Sequence, residues 1–258
     1  MLLTGDYHTH TIYSHGKGTV LENAERARQL GIKQLGISDH GFDQMAFGLR
    51  HKKISSLKND ILKAREITGV DVLLGIEANL CGEDGQTDLL EEDYADFDLF
   101  LMGIHRFVAF SNFKSWYNVF WRNYYHSAFT KKPPKSLVDF NTKAYINAIK
   151  KFPIDAITHL NYLCFCDVEE VAKAARDYGT YIELNSKKNH LTDDQLEKVR
   201  NTGVRFIINS DAHSVSRIGD TKLVEEQLSR VDIPIDMIDN INGKIPNFRF
   251  KEYKIHNL

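Results

Sequence analysis

Eleven histidines occur in 258 residues, and their placement is chemical. His8-Thr9-His10 and then His15 follow a short apolar start, Leu2-Leu3, that leads into Asp6-Tyr7. His40 follows the run 34–38, Glu77 the run 72–76, His105 the run 99–104 and His159 the run 154–158. Asp211 and His213 follow the run 204–208. One histidine at the end of an apolar run is ordinarily a hydrogen-bonded structural residue. Seven histidines and two carboxylates, each at the end of such a run, mean something else. So much imidazole in one place is stable when metal ions neutralise and bind it. Imidazole suits zinc, manganese and iron, and a carboxylate such as Glu77 can bridge two ions. Nine ligands exceed the need of one ion, so two or three divalent ions are expected.

These residues need a scaffold that brings run ends together. The runs after that short start, with 181–184, are four to six residues long and rich in β-branched types, the pattern of buried parallel strands. Helical patterns separate them. Thr19 and Glu22 form a capping box, and that helix runs to Leu30 before Gly31. Further helices are predicted at 53–68, stopped by Gly69, at 141–151, and at 168–178, closed by Gly179. Thr192 and Gln195 form a second capping box, and Gly203 ends that helix; a last helix is expected at 221–229. Alternating strands and helices imply a parallel sheet with covering helices. Seven strands fit an α/β, TIM-like (β/α)7 barrel in one domain, 1–258, that lacks the usual eighth unit. All strands of such a barrel point one way, so the ligand set converges on one rim. Residues i and i+2 share a face, which pairs His8 with His10 and Asp211 with His213. The same parity places Asp6 beside His8, as an orienting residue or a buried acceptor, and turns Asp39 away into a structural role.

The segment 107–129 breaks the rhythm with ten aromatic residues in 23. From Phe113 the spacing predicts an amphipathic helix. It reads as an aromatic-rich insertion at about 107–140, either packed on the barrel, closing over substrate or meeting another subunit. Lys131-Lys132-Pro133-Pro134-Lys135 reads as an exposed loop. The tail after about 233 carries no clear pattern.

Lys+Arg is 33 and Asp+Glu is 35, so no bulk positive field drives binding to long nucleic acid. Cys81, Cys164 and Cys166 give no even disulfide framework and read as buried thiols. The start, MLLTGDYHTH, has no basic stretch before a long apolar core, and no run is long enough to span a membrane. A cytoplasmic protein is expected, with its oligomeric state open.

The motifs Asp6-Tyr7-His8-Thr9-His10, Ser14-His15, Ser38-Asp39-His40-Gly41, Gly75-Ile76-Glu77-Ala78-Asn79, Gly103-Ile104-His105, Thr158-His159 and Ser210-Asp211-Ala212-His213 resemble, in order, those of the polymerase and histidinol phosphatase (PHP) superfamily. The resemblance runs from residue 6 to about 219 and is nearest to stand-alone, histidinol-phosphatase-like phosphoesterases. It implies a distorted barrel of seven β/α units holding three metals. One ion would take His8, His10, Glu77 and Asp211; a second would share Glu77 and add His105 and His159; the third would take His15, His40 and His213. Many relatives carry Pro after the fifth-strand histidine, where this chain has Leu160.

The expected reaction is hydrolysis of a small phosphomonoester by metal-bound hydroxide at this trinuclear site. Glu77 and Asp211 would serve it as ligands, and Arg106 and Arg217, with Lys187 behind them, would hold phosphate oxygens. L-Histidinol phosphate is the leading candidate substrate; its amine would need an acceptor such as Glu183, Asp84 or Asn185. His190 shares the rim and could touch substrate, whereas His51, His126 and His256 match no motif. Rival readings are a phosphodiesterase or oligonucleotide exonuclease, a non-catalytic metal-binding PHP module, and an amidohydrolase. The last leaves His15, His40 and Glu77 unexplained.

Overall fold

The computed structural model describes residues 1–110, 112–130 and 132–257. Seven strands form one sheet: β1 (Gly5–Thr9), β2 (Gln34–His40), β3 (Asp71–Asn79), β4 (Leu99–Gly103), β5 (Ala156–Ile157), β6 (Tyr181–Asn185) and β7 (Phe206–Asn209). They lie in sequence order and every neighbouring pair is parallel. Beyond the strand ends, Thr9 bridges Ala212 in parallel, so β1 meets β7 and the sheet nearly closes. The result is a single-domain (β/α)7 TIM-like barrel.

Helices cover the outside. Val20–Gln29 starts at the capping box of Thr19 and Glu22, and Asp193–Asn201 starts at that of Thr192 and Gln195. Ile54–Thr68 and Val168–Tyr178 both end at glycines with left-handed φ, Gly69 and Gly179. Lys135–Lys151 begins six residues before the sequence pattern suggested, and Lys222–Leu228 follows β7. Apolar side chains from these helices bury against the outward faces of the strands, such as Leu35 and Ile37 of β2. A second cluster fills the barrel itself: Tyr7, Leu99, Leu101, Ala156, Tyr181 and Ile207, plugged by Phe248. The Phe248 ring meets Tyr7 edge-on at 4.8 Å.

The tail supplies what the missing eighth unit would have done. Asn240 is fully buried between β1 and β7. Its Nδ2 donates to the carbonyls of Gly5 (2.8 Å) and Ile208 (2.6 Å), and its Oδ1 accepts from Ile208 N–H at 2.9 Å. Thr4 N–H donates to the Asn240 carbonyl at 2.8 Å. A final helix, Arg249–Asn257, packs Phe250 into the core.

The aromatic segment is helical, but wider than an α-helix. Phe113–Ser115 leads into π-helical turns at Trp116–Arg122 and His126–Thr130. At the first of these turns the buried side chain of Asn123 donates to the carbonyls of Asn118 (3.1 Å) and Val119 (3.0 Å), inside the helix ladder, and to Asn141 Oδ1 (3.1 Å). A polar side chain inserted there displaces the regular bonds and opens the turn. Of the basic loop expected at 131–135, Lys131 lies outside the described residues, and Lys135 opens the next helix.

Candidate active site

The barrel opens at the carboxyl ends of its strands into a cleft of about 400 Å³. Glu77 stands at its floor, fully buried, at the end of β3. Four histidines surround its carboxylate. His159 Nε2 is 2.7 Å from Oε1, and His8 Nε2 is 3.2 Å from the same oxygen. His40 Nδ1 lies 3.0 Å and His105 Nε2 3.2 Å from Oε2. Thr158 Oγ1 donates to Oε1 at 2.9 Å. Gly103 makes room: a Cβ there would stand 2.4 Å from Thr158 Oγ1 and 2.6 Å from His159 Cε1.

On the other side Asp211 lies 3.5 Å from His10 Nε2 and 3.2 Å from His213 Nδ1. His15 stacks on His40 at 4.8 Å and meets His213 at 4.3 Å. Three groups offer donor atoms within 4.8 Å of one another: His8, His10 and Asp211; His40, Glu77 and His105; and His10, His40 and His213. All nine residues singled out in the sequence thus meet on one rim. Their grouping differs from the one the resemblance implies, since His10 and His40 each stand in two groups and His15 flanks them.

Two backbone features aim these side chains. The β1–β2 register shifts between Asp6 and Thr9, which marks an extra residue in β1. Such a bulge resets alternation. Tyr7 packs inside the barrel, and its neighbour His8 also faces inward, to Glu77 and Glu183. Simple parity therefore fails for Asp6. It reaches instead to the N–H and hydroxyl of Ser210 and the N–H of Gly219, and so holds the loop that carries Asp211. His159 and Asp211 take left-handed φ of 31° and 48°, a conformation that non-glycine residues rarely adopt. Asp39 accepts from Thr11 N–H, Thr11 Oγ1 and Ser14 Oγ, which fixes the loop before His15.

Charge in the cluster follows from burial and crowding. Burial, with His40 and His213 beside it, holds His10 well below the ordinary histidine value. Burial and His213 lower His15 to about 4, and burial and His105 lower His40 to about 3. Burial works against the anionic forms of Glu77 and Asp211. The surrounding histidines outweigh it and keep both well below the usual carboxylate range. Burial also lowers His8, but Glu77, Glu183 and Asp211 outweigh it and raise this imidazole well above its ordinary value. Two buried anions beside three imidazoles held low, His10, His15 and His40, suit a cation.

The residues that orient the histidines were not recognised as such in the sequence, where Glu183 stood only as an acceptor for a substrate amine. Glu183, on β6, accepts from His8 Nδ1 (2.7 Å), His159 N–H (2.8 Å), Asn185 Nδ2 (2.9 Å) and Asn209 Nδ2 (3.0 Å). Asn79 Oδ1 takes His105 Nδ1 at 2.8 Å, and Asp88 fixes the Asn79 amide at 2.6 Å. The available signal was position: Glu183 is an inward residue of the one strand whose end offered no ligand.

The remaining expectations divide. Arg106 and Lys187 line the cleft, with Lys188, Phe47, Phe107, Tyr162 and His190. Arg217 does not line it. Its guanidinium donates to the Ser186 carbonyl at 2.9 Å and pairs with Asp220 at 2.9 Å. Glu183 and Asn185 are buried and already bonded, and exposed Asp84 borders a different cleft, beside Lys114 and Lys143. His190 packs on Tyr162 at 4.8 Å, and burial with His159 beside it brings it to about 3. His51 stacks on Phe42, His126 is half-buried and His256 exposed, and none of the three lines the cleft. The aromatic segment borders the rim, where Tyr124 lies under the Arg106 guanidinium at 5.5 Å.

The model of the PHP domain matches residues 6–187, most of the chain. This chain belongs to the PHP family. Its PHP relatives include a protein named as a probable phosphatase from Caldanaerobacter subterraneus, 31% identical over 91% of this chain and 86% of the relative. Another of that name, from Thermoanaerobacter sp. strain X514, is 31% identical over 98% and 97%. Among solved structures, the histidinol phosphate phosphatase of Lactococcus lactis, crystallised with zinc, L-histidinol and phosphate, shares the fold. Its TM-score is 0.56, at 13% identity, over 89% of this chain and 92% of that one. A Listeria monocytogenes protein provisionally given the same activity aligns with TM-score 0.60 and 13% identity, over 85% and 99%. No helix among the described residues is long and apolar enough to cross a membrane.

Proposed function

We propose that this PHP protein is a metal-dependent phosphoesterase that hydrolyses a small phosphomonoester. The phosphatase class rests on the family and on relatives of that name that span nearly the whole chain. One observation carries the metal dependence. His8 Nε2, both nitrogens of His10, His40 Nδ1 and Glu77 Oε2 are buried and have no aligned hydrogen-bond partner. Each such atom is costly to bury, and their gathering on four neighbouring side chains calls for bound cations. His8, His10, His15, His40, Glu77, His105, His159, Asp211 and His213 fit two or three divalent ions, zinc, manganese or iron by donor type. Ions bound there supply acidified water and stabilise charge on phosphate oxygens.

The protein's own part is positioning. Glu183 and Asn79 accept the Nδ1 protons of His8 and His105 and turn each Nε2 to the cleft. Lys187 Nζ stands 3.2 Å from Asp211 Oδ1 and meets a phosphate oxygen at that end. Arg217 serves at one remove, by fixing the Ser186 carbonyl next to Lys187. Phe47, Phe107 and Tyr162 wall the cleft with apolar surface and keep bulk water from the reacting bond. Free, buried Cys81, Cys164 and Cys166 suit a cytoplasmic setting. L-Histidinol phosphate is the first substrate to assay, because the Lactococcus lactis enzyme of the same fold holds L-histidinol and phosphate. Steady-state kinetics of metal-loaded protein on monoesters and diesters test the reading. Turnover of a monoester is expected; cleavage of a diester or oligonucleotide with no monoester turned over would overturn it.

A further inference from the structure

The walls of the cleft are cationic and hold no spare acid. Arg106, Lys187 and Lys188 line it, whereas its two carboxylates, Glu77 and Asp211, lie buried among the histidines. Lys187 is spoken for at the floor, 3.2 Å from both Asp211 Oδ1 and His213 Nδ1. Arg106 and Lys188 line the same cleft and neither forms an ion pair with a carboxylate among the described residues. Both stand on pinned backbone. Gln44 Nε2 donates to the Arg106 carbonyl at 2.6 Å, and Asn185 Oδ1 accepts the N–H groups of Lys187 (2.9 Å) and Lys188 (3.1 Å). Two cations without a carboxylate partner, Arg106 resting on the Tyr124 ring, stand over an open cleft, where they repel an amine and attract an anion. The groups that might have received an amine are withdrawn: Glu183 and Asn185 are consumed by internal hydrogen bonds, and Asp84 borders another cleft.

We infer that the alcohol half of the substrate carries a second anionic group, a carboxylate or a second phosphate, bound by Arg106 and Lys188 while the first phosphate sits at the histidine floor. This rests on the phosphomonoesterase reading. A matched three-carbon series tests it on the full-length, metal-loaded protein: 3-aminopropyl phosphate, propyl phosphate, 3-phosphooxypropionate and 1,3-propanediol bisphosphate. The anionic members exceed propyl phosphate at least tenfold in kcat/KM, and the amine falls below it. The better of the two anionic members identifies the second group. In the double variant R106Q/K188Q the ratio of anionic to neutral substrate falls to near one. Equal or better turnover of the amine or of L-histidinol phosphate overturns the inference, as does an unchanged ratio in the variant. If no member is hydrolysed, the phosphomonoesterase reading is decided by the wider monoester and diester assay, and calorimetry with the matching phosphonates still decides the charge preference. Tighter binding of the anionic phosphonates supports the inference, and equal affinities overturn it.

Discussion

Glu77 is the residue on which the site turns, because four imidazoles stand within 3.2 Å of its two oxygens. Glu77→Gln removes the charge and is expected to lower kcat/KM by about a hundredfold or more, while His51→Ala, on a ring stacked against Phe42 outside the cleft, stays within about twofold. Kinetics in saturating metal check this, and equal losses would contradict it. Glu183 is expected to act through the ligands. In Glu183→Gln the amide NH₂ faces two donors in either orientation, the His8 and Asn209 pair or the His159 and Asn185 pair. Metal affinity should fall about 10- to 100-fold, read by competition with a chelator; unchanged affinity would leave Glu183 a purely structural acid. The nine candidate ligands were legible because their types and strand-end spacing are unusual. Glu183, Asn79 and Asp88 were not. An acid or amide inside a strand looks like any buried acceptor until the fold shows which imidazole it faces.

At the scale of elements, hydrophobic runs, capping boxes and terminal glycines marked six helices and the strands β2 to β7, while the first run, Leu2-Leu3, stops just ahead of β1. Parity failed where β1 carries its bulge, since an extra residue leaves no trace in apolar periodicity. The aromatic segment read as an α-helix from its spacing, whereas much of it is π-helical, with the Asn123 side chain bonded to two carbonyls of the first π turn. The tail after 233 was illegible for a related reason: its work rests on one asparagine. Asn240→Ala leaves Ile208 N–H, Ile208 C=O and Gly5 C=O without their side-chain partner between β1 and β7. A loss of roughly 2–4 kcal/mol in urea unfolding is expected from that many orphaned buried groups. A loss under about 1 kcal/mol would show that β1 and β7 hold together without the tail.

The whole molecule is a barrel with its polar charge at one end and a plug at the other. At the plugged end Asp155 accepts Phe100 N–H from β4 (2.9 Å) and Phe250 N–H from the last helix (2.7 Å). Burial raises its carboxyl from 3.8 to about 7. The folded state therefore favours the protonated acid. Its stabilising contribution is full below pH 3.8 and is lost as the pH rises through about 7. Relative to Asp155→Asn, the melting temperature of the wild type should decline between about pH 4 and 7 and run parallel above pH 8; parallel curves throughout would contradict the assignment. At the open end the account rests on metal. Elemental analysis of the purified, metal-saturated protein, with anomalous scattering from its crystals, tests that most directly. Two or three ions per chain, ligated by the rim histidines with Glu77 shared between two, is the predicted result. A well-ordered rim with at most one ion at saturating metal would contradict it.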